Sequence, residues 1–181
     1  MPIARAVHKK ARLIAHTKAW HQYAMDSQIT PSSRANMLML NQLHQVETSA
    51  LDHATLDQML GAAFYTECAG EGVDGFIIAF DQDGDYNSPN FLWFKARYDR
   101  FAYVDRIIVA DHARGRGLAR TLYTNLFEYA RKAGHARVVC EINVEPPNPG
   151  SIAFHVALGF VELAQVRLSN GKIVSYQECV L

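Results

Sequence analysis

Neither sign of charge is in surplus in this chain: 18 Lys and Arg stand against 18 Asp and Glu, a formal net charge of zero. A general nucleic-acid binder needs an excess of cations to displace phosphate counterions, so the balance argues against that class. Cysteine is scarce and odd in number. Cys68, Cys140 and Cys179 form no C-x-x-C pair, so neither a disulfide framework nor a zinc knuckle is indicated, and reduced thiols of a cytoplasmic protein are expected. Apolar runs fall short of the roughly 18 to 20 residues of a membrane span. The eight histidines contain no H-x-x-x-H pair or Cys/His cluster, so no metal is expected.

No low-complexity tract or internal repeat interrupts the chain, and 49% hydrophobic against 20% charged residues suffices for a core. Before Asp26 there is no acidic residue, while Arg5, Lys9, Lys10, Arg12 and Lys18 are basic. Serine is missing there too, which argues against a transit peptide. With only the weak stripe Ile3, Val7, Ala11 and Ile14, the expectation is an N-terminal helix or an extension upstream of the true start. The expectation is a basic extension over residues 1–20 and a single domain over 21–181.

Within that domain, His21 to Ile29 reads as a first strand. Thr30-Pro31-Ser32-Ser33 reads as a helix start with Pro in the first turn and Ser as cap, and Met37, Leu38, Leu40 and Leu43 as its apolar face. Ser49 to Asp52 offers a second cap before Thr55 to Phe64. Phe64 to Ala69 and Gly75 to Phe80 read as a hairpin, and Asp81 to Pro89 as a polar loop. Asn90 to Tyr98 is rich in aromatics without a clear period. A strand over Phe101 to Ala110 precedes a helix within Ala113 to Ala133, striped by Leu118, Leu122, Leu126 and Tyr129 and stopped by Gly134. A strand over Ala136 to Val144, a short helix from Pro149 to Leu158, and a hairpin across Asn170-Gly171 complete a mixed α/β order.

The most informative stretch is Arg114-Gly115-Arg116-Gly117-Leu118-Ala119, where a strand ends and a helix opens. Backbone N–H groups at a helix N-terminus attract an anion, and two glycines let a pyrophosphate approach without a Cβ in the way. Arg114, Arg116 and Arg120 add charge. The dinucleotide fingerprint of a nicotinamide oxidoreductase fails here: Arg120 holds the third glycine position, and the glycines lie several residues beyond the strand. Asp81, Asp83 and Asp85 alternate, yet Tyr86 and Leu92 stand where a calcium loop needs Gly and Glu.

Arg114-x-x-Gly117-x-Ala119 resembles the acyl-CoA signature of the GNAT superfamily of N-acetyltransferases. Asn148-x-x-Ser151 followed by Phe154-His155-Val156-Ala157-Leu158-Gly159-Phe160 resembles that superfamily's second CoA-contacting helix, in the right order and at suitable spacing. The resemblance spans about residues 101 to 168, and the stretch from Glu47 to Asn90 is similar to an uncharacterised predicted-acetyltransferase branch. It implies a central, mostly antiparallel, twisted mixed sheet of about six to seven strands flanked by about four helices. It further implies acetyl-CoA as co-substrate, held by Ile108, Val109, Arg114, Gly115, Arg116, Gly117, Leu118, Ala119, Asn148, Ser151 and His155, with the Val109 N–H polarising the thioester carbonyl.

His155 stands where the superfamily often has the tyrosine proposed to protonate the CoA thiolate. An imidazolium could serve, since the reference pKa of a thiol is about 8.5 and of imidazole about 6.5; CoA contact or simple packing are the other readings. Strand alternation places Tyr103, Asp105, Ile107 and Val109 on one face, making Asp105 a candidate base, with Glu141 on the next strand a second. A salt bridge to Arg106 or Arg137 is the plainer reading of either carboxylate. Glu47, Tyr86, Asn90 and Phe91 are candidates for the acceptor wall. The sequence therefore points to acetyl transfer to a primary amine of a small molecule, amino acid or peptide by direct attack in a ternary complex. A homodimer is expected from the fold the resemblance implies and because two-fold dimers are the commonest soluble oligomers. The alternative is a non-catalytic acyl-CoA-binding or regulatory module.

Overall fold

The computed structural model describes residues 29–181. The basic segment 1–20 and the strand expected over 21–29, Ile29 excepted, lie outside the described residues. Six strands, β1 (Tyr65–Ala69), β2 (Gly75–Asp81), β3 (Ala102–Val109), β4 (Arg137–Glu145), β5 (Val161–Arg167) and β6 (Ile173–Val180), form one sheet in the order β1-β2-β3-β4-β6-β5. Every pairing is antiparallel except β3 with β4. Among the described residues the α-helices are α1 (Pro31–Leu43), α2 (Gln45–Thr48), α3 (His53–Ala62), α4 (Pro89–Lys95), α5 (Leu118–Lys132) and α6 (Pro149–Ala157).

Local chemistry accounts for the helix starts. Thr30, Asp52, Ser88 and Asn148 each accept a hydrogen bond from the backbone N–H three residues on, satisfying one of the donors a helix leaves orphaned. Pro31, Pro89 and Pro149 follow three of these caps, where a missing N–H costs nothing. The Ser88-Pro89 start makes a helix of the aromatic stretch that lacked a clear period. Its Phe91 and Phe94 are fully buried.

Two apolar layers clothe the sheet. On one face Met37, Leu40, Leu56, Leu60, Phe91 and Phe94 from α1, α3 and α4 pack on Phe76, Ile78, Phe80, Tyr103 and Tyr176. On the other, Leu122, Tyr123 and Leu126 of α5 pack on Ile77, Ala79, Val104, Val138, Cys140 and Phe160. Leu43, expected to belong to the apolar face of α1, is 75% exposed because α1 ends there and the chain turns into α2.

Two irregularities open the sheet. Ile78 pairs with Arg106 and Ala79 with Val104, so Asp105 is an extra residue in β3, a β-bulge. Beyond it the side-chain alternation is reversed: Tyr103 belongs to the first layer, while Ile107 packs against the second. The expectation that Tyr103, Asp105, Ile107 and Val109 share one face is therefore overturned; an inserted residue shifts a period of two by one. At the same point β3 and β4 part. Their registered pairing covers only Ala102 to Val104 against Val138 to Cys140.

Candidate active site

The gap between the parted strands leads into a cleft of about 640 Å³. One wall is Ile107, Ile108 and Val109 of β3, running into Ala113, Arg114, Gly115 and Gly117 and the first turn of α5 with Leu118, Ala119 and Arg120. The opposite wall is α6, through Asn148, Gly150, Ser151, Phe154 and His155. The corner between α1 and α2 crosses above the gap and contributes His44, Glu47 and Thr48.

Backbone geometry sets the polarity of the first wall. The Ala110 N–H donates to the Asp74 carbonyl at 2.8 Å, on the β2 side. Alternation along an extended strand then turns the Val109 N–H the other way, into the gap. Gly115 and Gly117 have φ of 76° and 82°, the left-handed region glycine enters without steric cost, and a Cβ on either would project into open space. Gly117 caps α5 with no side-chain hydrogen bond and no acidic residue in the first turn, so the helix N-terminus faces the cleft with its dipole unopposed. Arg114 and Arg120 add cationic charge. Arg116, expected beside them, does not line the cleft; its guanidinium lies 3.5 Å from Asp74, which also holds His112 at 3.0 Å.

On the opposite wall Asn148 Oδ1 accepts from the Ser151 N–H at 3.2 Å and so starts α6. His155 is 3% exposed. Its Nδ1 lies 2.8 Å from the Ser151 carbonyl, which can only accept, so Nδ1 carries the proton. Its Nε2 then accepts from the Tyr123 hydroxyl at 2.7 Å, a phenol that burial keeps protonated far above its ordinary range. Burial likewise lowers the pKa of His155, with the Ser151 bond opposing. The ring is neutral with both nitrogens committed, a poor fit to the imidazolium donor expected at this position.

The two strand carboxylates do not line the cleft. Asp105 is locked by its neighbours: the Tyr86 hydroxyl donates to Oδ1 and Arg106 Nε to Oδ2 at 2.8 Å. Arg106 in turn donates to Asn41 Oδ1 at 2.6 Å, and Thr48 Oγ1 donates to the same oxygen at 3.2 Å. The plainer reading of Asp105, an ion pair with Arg106, thus describes its contacts. Glu141 Oε1 accepts from Asn90 Nδ2 at 2.8 Å, and Asn90 accepts from the Tyr176 hydroxyl at 2.9 Å. Glu141 Oε2 and the Tyr103 hydroxyl are sealed from solvent without a well-formed hydrogen bond. Burial, then the nearby charge of Asp105, pushes Glu141 up to about 8, so it is largely neutral at pH 7.

Ile108, Val109, Arg114, Gly115, Gly117, Leu118, Ala119, Asn148, Ser151, His155 and Glu47 are thus brought together around one cleft. Tyr86 and Asn90 instead bond to the strand carboxylates, and Phe91 is wholly in the core against Phe80, Phe101 and Tyr103, so none of the three lines this cleft. His44 escaped the sequence reading: it belongs to no motif, and only the turn between α1 and α2 carries it into the cleft beside Glu47 and Thr48.

Comparison with known proteins places this geometry. The family model described as "Acetyltransferase (GNAT) family" matches residues 41–160. An aminoglycoside N(6')-acetyltransferase type 1 of Serratia marcescens is 27% identical over 124 residues, which is 64% of this chain and 76% of that protein. Among solved structures, Ard1 of Thermoplasma volcanium superposes with a TM-score of 0.65 at 15% identity, covering 84% of this chain and 93% of that one. The ribosomal-protein-S18-alanine N-acetyltransferase of Escherichia coli gives 0.60 at 17% identity, covering 83% and 89%. At these identities the two structural likenesses concern the fold.

Proposed function

The chain belongs to the acetyltransferase (GNAT) family, and from that premise we propose that it transfers the acetyl group of acetyl-CoA to a primary amine of a small molecule, amino acid or peptide by direct attack in a ternary complex. The observation that carries this reading is the cleft, in which an uncapped helix N-terminus with two left-handed glycines lies in line with an inward-facing strand N–H. The space a Cβ would occupy at Gly115 and Gly117 is the space a pyrophosphate needs.

The roles follow from the walls. The amides opening α5, with Arg114 and Arg120, hold the pyrophosphate; Asn148 and Ser151 flank the pantetheine arm; the Val109 N–H donates to the carbonyl oxygen as negative charge develops on it. Acetyl-CoA supplies an activated thioester, and the chain supplies orientation and that donor. No cysteine fits a covalent relay: burial holds the Cys140 thiol protonated and raises Cys179, and Cys68 is pushed up to about 11. Direct attack is the simpler course. The acceptors named for the relatives, an aminoglycoside and an alanine of ribosomal protein S18, are both acetylated on nitrogen.

The neutral, doubly bonded His155 favours a second reading, an acyl-CoA-binding module without turnover. Thermal unfolding with acetyl-CoA, CoA and NAD tests the binding that both readings share. A ligand at 100 times its Kd adds about 2.7 kcal/mol to the native state. Stabilisation by the CoA forms and not by NAD is expected, and it should vanish in a folded Gly117→Glu. No shift with either CoA form would refute both readings, whereas a shift without turnover on any amine would select the second.

A further inference from the structure

Acetyl transfer needs a group to take the proton of the attacking amine, and neither carboxylate expected from the sequence is placed to do so. Asp105 has both oxygens bonded, Glu141 is sealed, and neither lines the cleft. The titratable side chains that do line it are His44, Glu47, Arg114, Arg120 and His155. Arginine does not give up its proton, and His155 has no free nitrogen. Among the described residues, the titratable side chains of the cleft that are left to accept a proton, His44 and Glu47, come from the corner between α1 and α2.

That corner spans the gap at the level of Val109. On the β3 side His44 Nε2 stands 3.9 Å from Asp111 Oδ1, two residues past Val109. On the β4 side Asn143 Nδ2 donates to the carbonyls of Val46 and Glu47, at 3.4 and 3.2 Å, and Lys172 Nζ donates to the Val46 carbonyl at 2.8 Å. The backbone of the corner is therefore tied on the β4 side, and His44 and Glu47 line the same cleft as Val109. We propose that His44, with Asp111 behind it, is the general base that receives the proton of the acceptor amine. This rests on the acetyltransferase reading above.

The arrangement suits the chemistry. The side chain of His44 is 15% exposed, while that of Asp111 is 79% exposed and is shared with Arg114 at 3.0 Å. At 3.9 Å the contact is longer than a hydrogen bond, so the carboxylate acts on the ring as a charge once the ring is protonated. Glu47 on the same corner and Arg114 and Arg120 on the far wall are the other charges facing it. An imidazole is the stronger base of the two candidates by about two pKa units in reference compounds, which is why His44 is preferred to Glu47. In the reaction the N–C bond forms and the C–S bond breaks with its electron pair leaving on sulfur. His44 takes the proton that nitrogen releases and returns it to water at the cleft mouth, where the thiolate gains one, so the balance closes as amide and free CoA.

The test is a pair of variants, His44→Gln and Asp111→Asn, assayed for CoA thiol release with acetyl-CoA and a panel of an aminoglycoside, a polyamine and an alanyl peptide. Acetyl-CoA affinity is measured in parallel by calorimetry. In the wild type kcat/KM should rise with pH to a plateau. His44→Gln should lower kcat by about 10² to 10³, abolish that rise, and leave acetyl-CoA affinity within threefold. Asp111→Asn, which removes the carboxylate 3.9 Å from the ring, should give a smaller loss of kcat than His44→Gln. Retention of wild-type rate and profile in His44→Gln would overturn the assignment, as would transfer of the whole effect to Glu47→Gln. Failure of the wild type to bind acetyl-CoA would instead remove the reading beneath it.

Discussion

At the residue scale the site is decided by which polar atoms are already satisfied. Asp105 and Glu141 look alike in sequence, each a carboxylate in an apolar strand, yet one is bonded at both oxygens and the other keeps an Oε2 sealed from solvent without a well-formed hydrogen bond. The difference is testable without substrate. Glu141 has its folded pKa raised to about 8 from the ordinary 4.5, so its contribution is present at low pH and is lost as pH rises from about 4.5 through 8. Urea unfolding of the wild type should show a fall of a few kcal/mol across that window. Glu141→Gln, which keeps the shape and a neutral headgroup, should flatten it. An equal pH slope in the variant would mean that another group titrates there.

At the scale of elements, short local signals hold long-range consequences. α6 is nine residues long and opens on Asn148, whose side chain accepts from the Ser151 N–H. Its last turn carries His155 and packs Phe154 beside Tyr123. Asn148→Ala should cost about 1 kcal/mol of stability by denaturant melt and weaken acetyl-CoA binding severalfold by calorimetry, because the cleft wall frays where the ligand lies. Loss of stability with unchanged affinity would confine Asn148 to capping. The caps, glycine stops and strand runs were readable in order, and the Ser88-Pro89 pair was readable too, had it been weighted above the missing period in the aromatic stretch. The length and corner of α1 were not, since Leu43 is as apolar as its neighbours and only the turn into α2 exposes it.

At the scale of the whole molecule, the sheet is two antiparallel halves joined by three registered residue pairs. A ligand in the gap should add hydrogen-bonding partners only to the strand amides that face it. Amide hydrogen exchange resolved by residue should therefore slow at Ile107 and Val109 on adding acetyl-CoA. Ala110, whose N–H already donates to Asp74, should hardly change. Uniform slowing across β3 would indicate general stabilisation of the fold instead of a ligand between the strands.

The amino-acid sequence by itself determined the order of β1 to β6, the glycine-bearing turn after β3 and the cap of α6. Each of these depends on residues within a few positions of one another: left-handed φ values, a side chain reaching its own backbone, a hydrophobic period. Only the tertiary structure decided what the carboxylates, His155 and His44 can do. A one-residue bulge at Asp105 reverses side-chain parity and coincides with the parting of β3 from β4, and no local period announces it. Whether a titratable group is free depends on partners far along the chain, such as Tyr86 for Asp105, Tyr123 for His155 and Asp111 for His44. Those partners become neighbours only when the sheet and its two helical layers are assembled.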